Sequence, residues 1–245
     1  MDGKVVEYED GFTVRPLSKE YEEATRDALV DVWIRENRLY SGLGVTKEEF
    51  WEYGSILFDR AKLEPWTAYI AVENATGKVV SFMFGCDLHA DQIPESRYDA
   101  LPAKVRTAIA FNDMAMKIFQ QSPLFTHLQH PGLVWYGLHA GTVAGYEGRG
   151  DVTLSTRCGM AMVMNDIVPR GYVAVVGCAT HETTVERAFL RAASPGGNHL
   201  VVGTAYFKDF EENGEFPLKA ITSPPFAAVS LSILPPYFQK FASRL

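Results

Sequence analysis

Apolar and polar positions along this chain change period several times, and each change marks a predicted element. Residues 12–16 (FTVRP) alternate and predict a short strand. After Ser18, a candidate N-cap, Ala24, Ala28 and Val32 recur at helical spacing with Leu29 and Trp33 beside them. They predict a helix to about Arg35. A loop with two glycines over 40–45 leads to Thr46-Lys47-Glu48-Glu49, a capping box. The helix it opens places Phe50, Gly54, Leu57 and Ala61 on its apolar side, with Trp51 and Phe58 adjacent, and Pro65 stops it. Segments 67–73 and 78–88 read as strands of a hairpin turned by Asn74-Ala75-Thr76-Gly77. A polar loop precedes a helix over 101–121, whose face carries Leu101, Val105, Ile109, Met116 and Phe119, with Asn112 in a gap. A second loop over 122–132 holds His127 and His130.

The stretch 133–193 is the part around which the rest is arranged. Residues 133–144 (LVWYGLHAGTVA) suit a strand, and glycines at 145, 148 and 150 break it. Val152, Thr156, Met160, Val163 and Ile167 then follow at helical spacing, until Pro169 and Gly171 end the helix. Residues 172–178 (YVAVVGC) form a strand of buried type, and 182–193 a helix that Pro195 and Gly196 stop. Strands at 199–207 and 226–234 flank a polar excursion with Asn213-Gly214. The order is β-α-α-β-β-(helical insertion)-β-α-β-α-β-β. It contains no internal repeat, low-complexity tract or linker, so a single domain over 1–245 is expected, with its insertion at about 90–132.

Composition narrows the function classes. With 47% hydrophobic residues the chain is globular, and no apolar run is long enough to span a membrane. The polar, acidic first ten residues carry no signal-peptide core. Cys86, Cys158 and Cys178 sit in apolar runs at no metal spacing, so free thiols, a reducing compartment and a cytoplasmic location are expected, with no metal. A net charge of −7 without a basic cluster argues against nucleic acid and is compatible with a cationic amine.

The glycine turn carries the chemistry. A glycine-rich turn entering a helix leaves backbone N–H groups free, and the helix dipole adds positive charge there, so a phosphate is favoured. The alternative, an ordinary strand–helix connection, has about equal weight on this motif alone.

The segment resembles the acyl-CoA-binding core of the GNAT superfamily of N-acetyltransferases, which carries Arg/Gln-x-x-Gly-x-Gly/Ala between a strand and a helix. The matching run is Glu147-Gly148-Arg149-Gly150-Asp151-Val152. Gly150 matches, while Glu147 replaces the usual Arg or Gln and Val152 the last small residue. The order of elements resembles the family plan, and most closely its arylalkylamine-type branch. The resemblance implies an α/β (α+β) fold: a mixed, mostly antiparallel sheet whose central parallel strands splay, with helices on both faces. It implies that Gly148, Arg149, Gly150, Asp151, Val152 and Thr153 hold the pyrophosphate of acetyl-CoA. The pantetheine would lie along the strand at Ala140, Thr142 and Val143.

Acyl transfer to an amine also needs a base. The family places it on the inward face of the splayed strand, where this chain has Tyr136. His139 is one residue out of register, on the opposite face unless a bulge shifts it, and a packed core histidine is the heavier reading. Glu36-Asn37-Arg38-Leu39 resembles the branch's Glu-Pro-Leu motif without its Pro, with a solvated helix-end glutamate as the alternative. His181 follows the fifth family strand at the mouth of the splay, beside Thr180. Glu36 is preferred as base or amine anchor, with Tyr136 organising water and His181 next in line. The family's usual acid, a Tyr in the following helix, is replaced by Ala188 and Phe189. Aromatic residues such as Trp51, Trp66, Phe84 and Trp135 are core by spacing, with some free to line an acceptor pocket.

The expected function is transfer of an acetyl or short acyl group from acetyl-CoA to a small amine, by a monomer or homodimer. A non-catalytic acyl-CoA sensor and a CoA-thioester decarboxylase on the same scaffold are the alternatives. The acceptor and the acyl chain are not legible in the sequence.

Overall fold

A computed structural model describes residues 4–90, 93–148, 152–193 and 198–235. Its elements are, in chain order, β1 (Val6–Tyr8), β2 (Phe12–Pro16), α1 (Glu22–Glu36), α2 (Arg38–Gly42), α3 (Lys47–Leu63), β3 (Ala68–Glu73) and β4 (Val79–Asp87). There follow α4 (Glu95–Tyr98), α5 (Ala103–Gln120), β5 (Val134–Thr142), α6 (Leu154–Met162), β6 (Ala174–Ala179), α7 (Glu182–Ala192), β7 (His199–Tyr206) and β8 (Phe226–Ile233). The eight strands form one sheet in the order β1-β2-β3-β4-β5-β6-β8-β7. Every described pairing is antiparallel except β5 with β6.

Period-two alternation sorts the side chains to two faces. On one, α1, α2, α3 and α5 cover a core that includes Phe50, Phe82, Phe84, Phe111, Tyr136, Val176, Leu231 and Ile233. On the other, α6 covers Tyr69, Val80 and Trp135, while α7 packs on β6, β7 and β8. The Thr46 capping box forms as expected: Thr46 Oγ1 accepts from the Glu49 N–H (3.2 Å) and Glu49 Oε2 accepts from the Thr46 N–H (2.9 Å). The helix it starts buries Phe50, Gly54, Leu57 and Ala61.

Four local readings change, the first being that the short helix α4 stands in the segment expected to be a polar loop. The edge strand β1 is additional. The segment expected to be a loop at 40–45 begins inside α2, which Asn37 caps by accepting from the N–H groups of Leu39 (2.9 Å) and Tyr40 (3.4 Å). The predicted stripe of α6, with Val152, Met160 and Val163, is not the one it buries. Thr153 is the N-cap, so Val152 lies before the helix at 37% exposed, Met160 is 55% exposed and Val163 is half-buried. Leu154, Cys158, Ala161 and Met162 face the sheet instead. A π turn over Val163–Ile167 adds a residue to the last turn and brings Ile167 to the buried side. A constant 3.6-residue period drawn back from Ile167 therefore lands on the wrong face.

Candidate functional site

The site begins where β5 and β6 stop pairing. Their parallel register runs from Val134↔Ala174 to Gly137↔Gly177 and ends there. Beyond it, β5 continues beside β4 and β6 beside β8, so a gap opens between the two strands. The β4–β5 register steps from Phe84↔His139 to Gly85↔Gly137, which leaves Leu138 as a one-residue bulge at the point of parting. Val143 donates its N–H to the Val80 carbonyl (2.8 Å). The alternation of an antiparallel ladder then turns the backbone groups of Ala140 and Thr142 toward the open edge. These two residues present their backbone groups along the open edge of the gap. Val143 does not, because its N–H is already used.

Helix α1 is set close against this edge. A Cβ on Gly141 would meet Val32 Cγ1 at 2.5 Å, so only glycine lets the helix approach so far. One turn later, Glu36 ends α1 at the rim of the gap. Its Oε1 accepts from Arg35 Nε (2.6 Å), and Arg35 also holds Asp31 (3.0 Å). Its Oε2 lies 3.4 Å from Nε2 of His181. His181 occupies the N-cap position of α7 without a side-chain cap bond, so its ring is free to face the cleft. The two residues, 43% and 31% exposed, are thus brought together across the mouth from elements far apart in sequence.

Tyr136 and His139 go elsewhere. The bulge at Leu138 places them on one face, opposite Cys86 and Phe84 of β4, and that face is the core under α1 and α3. Tyr136 is buried, and burial holds its hydroxyl well above its ordinary pKa. The expectation that it organises water beside Glu36 is therefore replaced: the partner of Glu36 is His181. His139 is buried against Trp33, Phe50 and Tyr53, with Nε2 3.1 Å from the Tyr53 hydroxyl and Nδ1 unpartnered. Burial lowers its pKa from 6.5 to about 3. The ring is a neutral core group.

At the glycine turn after β5, Gly145 and Gly148 take positive φ (84° and 71°), with open space where a side chain would be. Thr153 caps α6, its Oγ1 accepting from the Thr156 N–H (3.4 Å). Val152 is partly exposed beside it. Arg149, Gly150 and Asp151 lie outside the described residues. Glu147, the departure from the family motif, folds back: its Oε2 accepts from the Gly145 N–H (2.6 Å) and its Oε1 lies 3.8 Å from the Arg35 guanidinium. A carboxylate of the chain thus occupies the first N–H of the turn.

The end of α1, the parted strands β5 and β6, and α7 enclose a cleft of about 300 Å³. Val32, Trp33, Glu36 and Asn37 line it from α1 and its end, and Gly137, Leu138 and Ala140 from β5. Gly177, Cys178, Thr180 and His181 line it from β6 and its end, and Thr184 and Arg191 from α7. His199, Ser230 and Ser232 complete the wall, and sequence reasoning missed them. The signal was present in β8 (FAAVSLSI), where two serines alternate with apolar residues. A second hollow, about 670 Å³, lies between the start of α1 and the end of α3, lined by Leu17, Glu22, Phe58 and Lys62 among others. Its Lys62 and Glu22 already face each other at 3.6 Å, and no parted strand opens into it. Among the described residues, no group of three or more His, Cys, Asp or Glu is placed to hold a metal ion, and no helix is long and apolar enough to cross a membrane. All three cysteines are free.

No family model matches the chain, and no curated relative does. Solved structures do. The C-terminal condensation domain of Ebony, in complex with beta-alanyl-dopamine, aligns at TM-score 0.74 and 12% identity, covering 91% of this chain and 99% of that one. A mosquito arylalkylamine N-acetyltransferase like 5b aligns at TM-score 0.65 and 13% identity, covering 91% and 100%. A Drosophila melanogaster polyamine N-acetyltransferase that forms N-acetylagmatine aligns at 0.63 and 14%, covering 91% and 99%. At these identities the likeness establishes the fold, which is that of the GNAT N-acetyltransferases.

Proposed function

We propose that this chain is an acyl-CoA-dependent N-acyltransferase that moves an acetyl or short acyl group to a small amine by direct attack. The observation that carries the reading is the parting of β5 and β6 with the Glu36–His181 pair at its mouth. Ala140 and Thr142 offer free backbone groups for the pantetheine arm. The Gly145 and Tyr146 N–H groups are taken by Glu147 and by the Val143 carbonyl, so Glu147 and Gly148 of the turn and the start of α6, with Thr153, offer N–H groups for the pyrophosphate. Glu36 takes the proton of the bound ammonium, and His181 holds the carboxylate and passes the proton on to solvent. The free amine attacks the thioester carbonyl, the N–C bond forms and the C–S bond breaks. A thiolate with a pKa near 8.5 leaves without a dedicated acid, which suits a helix that lacks the family Tyr. The three structural neighbours named above handle amines or an amine conjugate, which supports an amine acceptor here.

The test is a titration followed by turnover. Acetyl-CoA at about 100 times its dissociation constant is expected to stabilise the fold by roughly 2.7 kcal/mol. Free CoA is expected only when an amine is added. An unchanged melting temperature at millimolar acetyl-CoA overturns the donor assignment. Binding without amine-dependent CoA release makes the chain a sensor, and carbon dioxide from malonyl-CoA makes it a decarboxylase.

Two substitutions probe the donor site. Gly177 has an ordinary φ and empty space around its missing Cβ, so neither backbone nor packing calls for glycine there. A glycine inside a strand is otherwise unfavourable, and close approach of a ligand is the usual reason for one. Gly177→Val is expected to leave the ligand-free protein at least as stable and to abolish stabilisation by acetyl-CoA. Retained stabilisation would show that the donor does not lie on this floor. Glu147→Gln removes the negative charge from the turn. It is expected to tighten acetyl-CoA binding about fivefold to tenfold, corresponding to about 1 kcal/mol for one screened charge near the phosphates. Calorimetric titration checks it, and weaker binding would place the pyrophosphate elsewhere.

A further inference from the structure

We infer that the end of the cleft opposite Glu36 is a subsite for a carboxylate, built by Arg191, His199 and Ser232. The inference rests on the acyl-transfer reading of the same cleft and specifies which molecules it accepts.

The charges along the cleft are unevenly placed. Glu36, at the mouth, is the sole carboxylate among the described lining residues. Arg191 lies near the C-terminal end of α7, about 15 Å along the helix from His181. It forms no ion pair with a described residue. His199 enters from the first position of β7, with Nδ1 2.8 Å from Ser232 Oγ. Its Nε2 is buried and has no partner among the described residues. A buried nitrogen left without a partner costs free energy, and an anion accepting from it removes that cost. Burial first, and then the nearby Arg191 cation, hold the pKa of His199 below its ordinary value. With the ring neutral, Ser232 donates its hydroxyl proton to Nδ1 and so leaves Nε2 as the N–H aimed at the ligand; Ser230 adds a hydroxyl donor from β8, and Val175 and Gly177 form the floor between the two ends.

The cleft is therefore negative where the ammonium is deprotonated and positive at the far end. A molecule with its reactive group at Glu36 and a carboxylate at the end of a chain long enough to run along the cleft matches both ends. Two sources share this chemistry: an ω-carboxyacyl thioester as donor, or an ω-amino acid as acceptor. A distal ammonium is disfavoured at Arg191 in either case.

Initial rates separate the sources. In the donor arm, ω-carboxyacyl-CoAs from glutaryl-CoA to suberyl-CoA are each compared with the straight-chain acyl-CoA of the same length on one simple amine. In the acceptor arm, ω-amino acids from 5-aminopentanoate to 8-aminooctanoate are each compared with the alkylamine of the same length, using acetyl-CoA. The carboxylate partner is expected to win in one arm by roughly tenfold or more in kcat/KM, as for a charge-assisted hydrogen bond. That ratio is expected to fall toward one in Arg191→Met and to persist in Arg191→Lys, which keeps the charge and shows that the helix is intact. Preference in the donor arm assigns the carboxylate to the acyl group, and preference in the acceptor arm assigns it to the amine. Equal rates in both arms, with acetyl-CoA and simple amines still turned over, overturn the subsite and leave the acyltransferase reading standing. Absence of turnover with every donor, together with no thermal shift, overturns both.

Discussion

Glu36→Gln is expected to lower amine acylation by about 10²–10⁴, the usual loss for one general base. Three placements lead to this. Glu36 stands at the rim of the parted strands, it is held by Arg35 on one oxygen, and it faces His181 across 3.4 Å on the other. The amide keeps the shape and the hydrogen-bonding reach of the side chain but takes no proton. Thermal stabilisation by acetyl-CoA is expected to survive, because the donor groups on β5 and at the start of α6 are untouched. His181→Gln is expected to cost less, about tenfold, since solvent can relieve Glu36 of its proton more slowly. Tyr136→Phe and His139→Gln are expected to keep near-normal turnover in folded protein, as both side chains are shut inside the core. Rates measured across an amine panel decide the matter. Full activity in Glu36→Gln, with a loss of that size in His139→Gln, would move the base into the core face of β5 and discard the Glu36–His181 pair.

The second large effect is on stability in acid. An unfolded chain protonates His139 near pH 6.5, whereas the folded chain resists until about pH 3, because burial disfavours the charged ring. The folded state's advantage is complete above pH 6.5 and is lost as the pH falls toward 3. Over the whole window the linkage amounts to about 5 kcal/mol, and between pH 7 and 4.5 to about 2–3 kcal/mol. The carboxylates of Asp10 and Asp31, held low by hydrogen bonds to Arg157 and Lys47, add acid sensitivity chiefly at lower pH. Urea unfolding at pH 7 and pH 4.5 reads the histidine together with a contribution of the same sign from His199 and one of opposite sign from Asp113, whose carboxyl burial holds above its ordinary value, and comparison with a His139 variant isolates the ring. His139→Gln is expected to flatten the dependence by about 2 kcal/mol while lowering stability at neutral pH through lost packing against Trp33 and Phe50. An unchanged slope in the variant would mean that the ring is protonated in the folded protein.

The two effects show where sequence pattern suffices and where it fails. Local rules fixed most elements. The Thr46–Glu49 box, the Asn74–Gly77 turn, the apolar face of α5 and the buried-type run of β6 each depend on neighbours a few residues away, and the pattern states them directly. The parting of β5 from β6 was also legible, through the order of elements that the chain shares with a known family. The Glu36–His181 pair was legible only as two separate candidates, since nothing local says that the end of α1 meets the start of α7. The missing side chain of Gly141, which admits Val32, brings them to the same rim. His139 turned on one inserted residue. A period of two sends it away from Tyr136, and the bulge at Leu138 returns it to the same face, because a bulge is decided by how β4 and β5 register and not by either strand alone. The α6 stripe failed for a related reason, a π turn that shifts the phase of a helix whose composition gives no sign of it. Arg191, His199 and Ser232 come from three elements, and each looks ordinary where it stands in the sequence. The sequence by itself determined most of the helices and strands and, α6 apart, which of their faces are apolar. The tertiary structure decided which polar groups share a cleft, because that depends on register, on closeness of approach and on long-range packing, which no single segment encodes.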